Sequence, residues 1–321
     1  MREVNITDIG GIKLGHAHDL NAGTGCSVLI AEQGVTAGVD VRGGAPGTRE
    51  TDLLDPVNLV EKIHAVVLTG GSCFGLEACS GVMQYLEEND AGFDTGVAKV
   101  PIVCGAVLFD LAIGDPSVRP DKEMGYQACR NASDKECPEG NVGAGAGASI
   151  GKILGMERAM KSGLGAYCLQ TGDLKVGAIV AVNCLGDVID PDTGKALAGV
   201  LAGDLNTLLS TEEIMVREYL QREISFSTNT TIGVVVTNAN LTKSQVNKVA
   251  SMAHNGYARA IRPAHSMVDG DTIFAIATGE VASGVSVAGM LAARVTERAV
   301  IRAVKLATPL FGLKCYGDLK K

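Results

Sequence analysis

Hydrophobic and polar positions change period several times along the chain. Residues 26–31 and 35–41 are apolar, β-branched runs bounded by Gly23 and by Gly43-Gly44. They predict strands joined by glycine-rich turns across residues 4–50. Asp55-Pro56 has the form of an N-cap followed by proline at the first helical position, predicting a short helix to about His64. The apolar run 65–68 follows. Gly70-Gly71-Ser72 closes it, and 76–87 has helical spacing. Residues 100–111 predict one or two buried strands, 115–119 a loop and 120–131 a helix. Residues 175–184 predict another apolar strand.

The second half repeats the alternation. Ser210-Thr-Glu-Glu213 has the form of a capping box ahead of 214–222. Asn229-Thr230 opens an apolar, β-branched run that ends at Asn238, which predicts a buried strand. Thr242-Lys-Ser-Gln245 is a second capping box. Behind it Val246, Val249, Ala250, Ala253 and Tyr257 share one helical face. Residues 265–279 read as a turn entering a strand, 283–306 as a long helix and 312–321 as a tail. Strands alternating with helices make the chain an α/β protein.

Composition narrows the class. The 321 residues are 46% hydrophobic, enough for one large domain or two ordinary ones. Tryptophan is absent and aromatics are 4%, so Ala, Val, Ile and Leu must build the core. The formal net charge is −8 and basic residues do not cluster. No nucleic-acid or anionic-membrane partner is expected. Nine cysteines lack CxxC spacing and are expected to be small buried hydrophobes in a reducing cytoplasm. The five histidines show no ligand spacing beyond His16-Ala-His18, so neither metal nor cofactor is expected. No apolar h-region opens the chain, and no apolar run approaches the ~18 residues of a membrane span.

Candidate chemistry is sparse when each residue is taken singly. Thr230 at a strand start is accounted for by β propensity alone. It becomes a nucleophile only if the bond before it is cut, which would give it a free α-amine. Residues 190–229 form the most charged segment and end in a polar stretch suited to an exposed, processed linker. Gly143, Gly145, Gly147 and Gly151 lead to Lys152. The phosphate-loop pattern fails there because Ile153 follows the lysine. A glycine-walled active-site loop and an ordinary surface lysine both fit. Asn183 ends a strand, as an oxyanion donor or as a turn residue. Asp269 and Asp271 flank Gly270, a poor metal set that also fits a solvated turn. Ser72 lacks a full GxSxG elbow and reads as a strand-to-helix turn.

Several stretches occur together in one order: Gly-Val-Asp-Val-Arg-Gly-Gly-Ala-Pro-Gly-Thr-Arg-Glu-Thr at 38–51, Leu-Thr-Gly-Gly-Ser-Cys-Phe-Gly-Leu at 68–76, the 143–152 loop, Val182-Asn183, Asn229-Thr230-Thr231 and Asp269-Gly-Asp271. This set resembles the L-aminopeptidase D-amidase/D-esterase (DmpA-like) family over about residues 5–307. That family includes β-peptidyl aminopeptidases and the nylon-oligomer endo-hydrolase. The resemblance implies a single domain, an α-β-β-α four-layer sandwich, and self-cleavage between Asn229 and Thr230. The products would be an α chain 1–229 and a β chain 230–321. Many members carry serine at the position of Thr230. Threonine together with Asp269 and Asp271 is closer to the nylon-oligomer branch, where the residues matching Lys152, Asn183, Asp269 and Asp271 belong to the active site.

The resemblance implies an N-terminal-threonine amidohydrolase or aminopeptidase working through an acyl-enzyme on Thr230. Asn183 would bind the oxyanion and Lys152 would keep the α-amine neutral. Asp269 and Asp271 would orient Thr230 or receive a substrate ammonium group. The expected partner is a small peptide or amide, and the expected assembly is a homo-oligomer, most often a tetramer. Two other classes remain open: a non-cleaving ligand-binding or assembly protein on the same fold, and a nucleotide-dependent enzyme using the 143–152 loop.

Overall fold

The computed structural model describes residues 1–221 and 229–319. Ten strands share one hydrogen-bonded sheet. They are β1 (Arg2–Val4), β2 (Lys13–Asp19), β3 (Thr24–Val41), β4 (Thr48–Arg49), β5 (Lys62–Thr69), β6 (Val103–Val107), β7 (Leu164–Thr171), β8 (Leu174–Asn183), β9 (Thr230–Asn240) and β10 (Thr272–Ala282). The order is β1-β7-β8-β9-β10-β3-β5-β6-β4, with β2 also on β3. Helices are α1 (Ala78–Glu88), α2 (Lys122–Arg130), α3 (Thr211–Gln221), α4 (Lys243–Ala260) and α5 (Val285–Lys305).

The long strand β3 turns this path into two layers. Its register against β5 breaks between Ile30 and Val35. Before the break it pairs with β2, and beyond it Thr36–Val41 pairs with β10. The sheet folds over at that corner. Ile179, Ile232, Val234, Phe274 and Ile276 of one layer meet Leu29, Ile63, Val66, Leu68 and Ala106 of the other. Strand alternation sends Ala178, Val180, Val235 and Ala275 the opposite way, onto α4 and α5. Val28, Ile30, Ala65 and Val67 likewise face α1 and α2. The result is four layers, α-β-β-α. Each fully buried Ile, Val or Phe contributes roughly 1.5–3 kcal/mol.

Most elements fall where the pattern places them. The Thr242 box forms with both bonds, Gln245 N–H to Thr242 Oγ1 at 3.4 Å and Thr242 N–H to Gln245 Oε1 at 2.9 Å. The predicted face of α4 is buried. Three readings are corrected. The runs 26–31 and 35–41 are one bent strand. The helix after Asp55-Pro56 does not form, because Ile63 pairs with Val35 and is buried between the layers. Strand pairing and burial outweigh the local capping signal there. The C-terminal stretch is partly docked: Lys314 O accepts from Lys161 N–H at 2.7 Å, and Cys315 is buried. Of the processed-linker reading, residues 222–228 lie outside the described residues. Among the described residues, no helix is long and apolar enough to cross a membrane.

Candidate active site

Thr230 opens β9 and Asn183 closes β8, and the two are directly opposite in the antiparallel register. Opposed residues bring their Cβ atoms within about 4.5–5.5 Å. On the other flank β9 runs parallel to β10, so the loop entering β10 brings Asp269 and Asp271 to the same end. Asn229 forms an isolated bridge with Asp269. The five residues singled out in sequence therefore converge on one buried corner. Lys152, Asn183, Thr230, Asp269 and Asp271 are each at most 6% exposed.

Lys152 is not a surface lysine. Gly151 precedes it at φ 69°, and a Cβ there would stand 2.2 Å from the Gly199 and Val200 backbone. Only glycine lets the chain turn inward at that point. The Lys152 Nζ donates to Asn183 Oδ1 at 2.8 Å and to Asn183 O at 3.0 Å. Burial pushes its pKa down to about 7. Ser149 N–H also donates to Asn183 Oδ1, at 3.0 Å. Two pure donors thus fix which end of the Asn183 amide is oxygen. Its Nδ2 donates to Phe109 O at 2.9 Å, leaving one amide hydrogen for a ligand. The whole 143–153 loop is buried, and Lys152 points at Asn183 rather than outward. The nucleotide reading of this loop thereby loses its cation.

The carboxylates are equally engaged. Asp271 Oδ1 accepts from Thr231 N–H at 2.7 Å, and its Oδ2 accepts from His265 N–H at 2.9 Å. Asp269 Oδ2 accepts from Ser266 N–H at 3.0 Å and from the Ser266 hydroxyl, while Oδ1 faces Leu185 N–H at 3.4 Å. Burial, and after it the charge of Asp271, raises the Asp269 pKa. These are buried, hydrogen-bonded groups, not a solvated turn. The Thr230 hydroxyl donates to the carbonyl oxygen of Asn229. That same oxygen accepts from Gly270 N–H at 3.1 Å. A cavity of about 220 Å³ opens over Thr230, lined by Ala45, Pro46, Gly47, Ser72, Cys73, Phe109 and Val268.

Residues 5–316 match peptidase family S58. The chain belongs to that family. An uncharacterized aminopeptidase of Mycobacterium tuberculosis is 42% identical over 98% of this chain and 97% of its own length. The 6-aminohexanoate-oligomer endohydrolase of a Kocuria species is 32% identical over 87% of this chain and 76% of its own. Among solved structures, the L-aminopeptidase D-Ala-esterase/amidase of Ochrobactrum anthropi superposes with a TM-score of 0.71 at 19% identity, covering 94% of this chain and 86% of that one. That structure is described as a variant of the Ntn hydrolase fold, and this chain shares its architecture. The S58 chain is a hydrolase of peptide or amide bonds.

Two buried groups near this corner, Lys161 and Asp110, carried no sequence signal. Lys161 is fully buried and holds the glycine loop through its Nζ, which donates to Gly145 O at 2.9 Å, Ala148 O at 3.0 Å and Ser162 O. Burial pushes its pKa down to about 7. Asp110 accepts from Thr24 Oγ1 at 2.8 Å and from Gly71 N–H at 2.7 Å, tying the 70–72 turn to the segment after β6. Burial raises its pKa to about 6. Ser72, at φ 53°, lines the cavity at the strand-to-helix turn expected of it. Among the described residues, no group of three His, Cys, Asp or Glu side chains is placed to hold a metal ion.

Proposed function

We propose that this S58 hydrolase cuts itself between Asn229 and Thr230, then cleaves amides with the new N-terminal threonine. One observation carries the proposal: the Thr230 hydroxyl lies against the Asn229 carbonyl, whose oxygen is already held by Gly270 N–H at 3.1 Å. Attack of Thr230 Oγ on that carbonyl carbon would place negative charge on an oxygen with a donor in position. The C–N bond then breaks, leaving an ester between Asn229 and Thr230 Oγ and a free Thr230 amine. Water hydrolyses the ester. In the attack Lys152, whose depressed pKa of about 7 leaves a neutral fraction at neutral pH, takes the hydroxyl proton and returns it to the departing Thr230 nitrogen. Asp271 is less suited, since Thr231 and His265 already occupy its oxygens.

In the mature enzyme the α-amine, with an ordinary pKa of about 7.7–8.0, takes the hydroxyl proton as Oγ attacks the substrate carbonyl. The free amide hydrogen of Asn183 stabilises the oxyanion, and the Lys152 cation disfavours protonation of the amine. The proton returns to the leaving amine, and water releases the acyl group. Asp269 and Asp271 orient the nucleophile rather than bind a substrate ammonium, because each is committed to protein donors. The substrate is a small peptide or amide oligomer. The relatives' names span aminopeptidase and oligomer endohydrolase. A panel of p-nitroanilides of L-, D- and β-amino acids beside a blocked amide oligomer separates these. A homo-oligomer, most often a tetramer, in the cytoplasm completes the proposal. All nine cysteines are unpaired, in keeping with a reducing compartment.

Thr230→Ala tests the mechanism. It should stay uncut and inactive, whereas Thr230→Ser should retain both steps. An uncut Thr230→Ala variant with wild-type turnover would exclude Thr230 as nucleophile.

A further inference from the structure

His265 is the one histidine drawn into the carboxylate network, and nothing in the proposed chemistry uses it. Its Nδ1 lies 2.8 Å from Asp271 Oδ2, the oxygen that also accepts its backbone N–H. A carboxylate can only accept, so Nδ1 carries the proton. His265 thus supplies two of the three N–H groups on Asp271, and Thr231 supplies the third. The Thr231 bond clamps the backbone one residue beyond the nucleophile. The chain His265–Asp271–Thr231 therefore ends at the peptide that carries Thr230.

The ring is held by packing as well as by the hydrogen bond. It stands edge-on to His254, with centroids 4.8 Å apart, and lies 6.2 Å from Tyr257. His254 Nε2 is itself fixed at 2.9 Å from Asp40 O. The His265 backbone has φ 62°, a left-handed conformation in which His, Asn and Asp are enriched. Asp269 and Asp271 are both buried beside Gly270, and the charge of Asp271 helps raise the Asp269 pKa.

We propose that His265 is the positioning residue that fixes Asp271 and, through it, the backbone carrying Thr230. The inference rests on Thr230 being the nucleophile. A displacement of about 1 Å at the reacting atoms costs on the order of 10²-fold in rate.

Two variants isolate the donor from the backbone. His265→Gly accepts the left-handed conformation and removes the ring. His265→Asn also accepts it and returns an N–H donor at the distance of Nδ1. The full-length chain should show slower self-cleavage in His265→Gly. Its mature form should have kcat lowered about 10²-fold with KM unchanged. His265→Asn should recover at least about tenfold of that loss. A folded His265→Gly that is cut and turns over at the wild-type rate overturns the proposal. So does a His265→Asn as slow as the glycine variant at an equal melting temperature. If His265→Gly does not fold, His265→Gln replaces it, since its amide reaches one bond too far. Equal rates for His265→Asn and His265→Gln then overturn it. An active, uncut Thr230→Ala would instead remove the nucleophile reading, so the two failures are distinct.

Discussion

Lys152, which the sequence left open between an active-site loop and a surface lysine, and Lys161, which carried no signal, are both unusual by position. Both are fully enclosed, and burial holds each near pKa 7 against an ordinary 10.5. Between about pH 7 and 9 the unfolded chain binds more protons than the folded one at these sites. Stability contributed there rises with pH. Above that window buried thiols such as Cys79, pushed up to about 11, act in the opposite sense. Urea unfolding of the uncut Thr230→Ala chain should show a positive slope from pH 7 to 9, and Lys161→Met should flatten it. An unchanged slope would contradict the assignment. Asp110 works the other way. Its pKa of about 6 lies above the ordinary 3.8, so the folded chain binds the extra proton between about pH 4 and 6. Stability from this group falls as pH rises through that window. His16 and His254, lowered to about 4 by burial, act the opposite way in the same window. Asp110→Asn keeps an acceptor for Gly71 N–H and should make the slope of the same unfolding series more positive from pH 4 to 6. The sequence could not show these environments. A lysine is an interior residue only where its surroundings supply acceptors, and here those are the carbonyls of Asn183, Gly145 and Ala148.

At the scale of elements, local signals were legible and corners were not. The Thr242 capping box and the buried face of α4 could be read from spacing, because both depend on residues within two turns of each other. The bend of β3 could not, since it depends on β10 arriving from nearly the far end of the chain. The same long-range pairing gathers Asn183, Thr230 and the 269–271 loop, which spacing alone left as separate weak signals. Gly270 marks a close approach of two elements. A Cβ there would stand 2.7 Å from Thr230 Oγ1 and 2.8 Å from Ala45 O. Gly270→Ala should displace the Thr230 hydroxyl and slow self-cleavage by about 10²-fold or more, followed by gel over time. Cutting at the wild-type rate would contradict it. Helix α3 is anchored at its first turn by Asp187, which accepts from Thr211 N–H at 2.7 Å and from Thr211 Oγ1 at 2.8 Å. Ile214 then packs with Ile153 and Leu185. Ile214→Ala should cost about 2–4 kcal/mol by chemical denaturation. A change under about 0.5 kcal/mol would mean that α3 adds little to the fold.

At the scale of the molecule, the folded-over sheet brings one end of β8, β9 and β10 under a cavity of about 220 Å³. Aliphatic layers bury the corner that holds Thr230, Lys152, Asn183, Asp269 and Asp271. In the proposed function the 33.1 kDa chain becomes an enzyme by breaking its own Asn229–Thr230 bond. Intact-mass measurement of freshly purified, denatured protein tests this most directly. Two species, residues 1–229 and 230–321, should appear in step with amide hydrolysis. A single uncut chain hydrolysing an amide at full rate would contradict it.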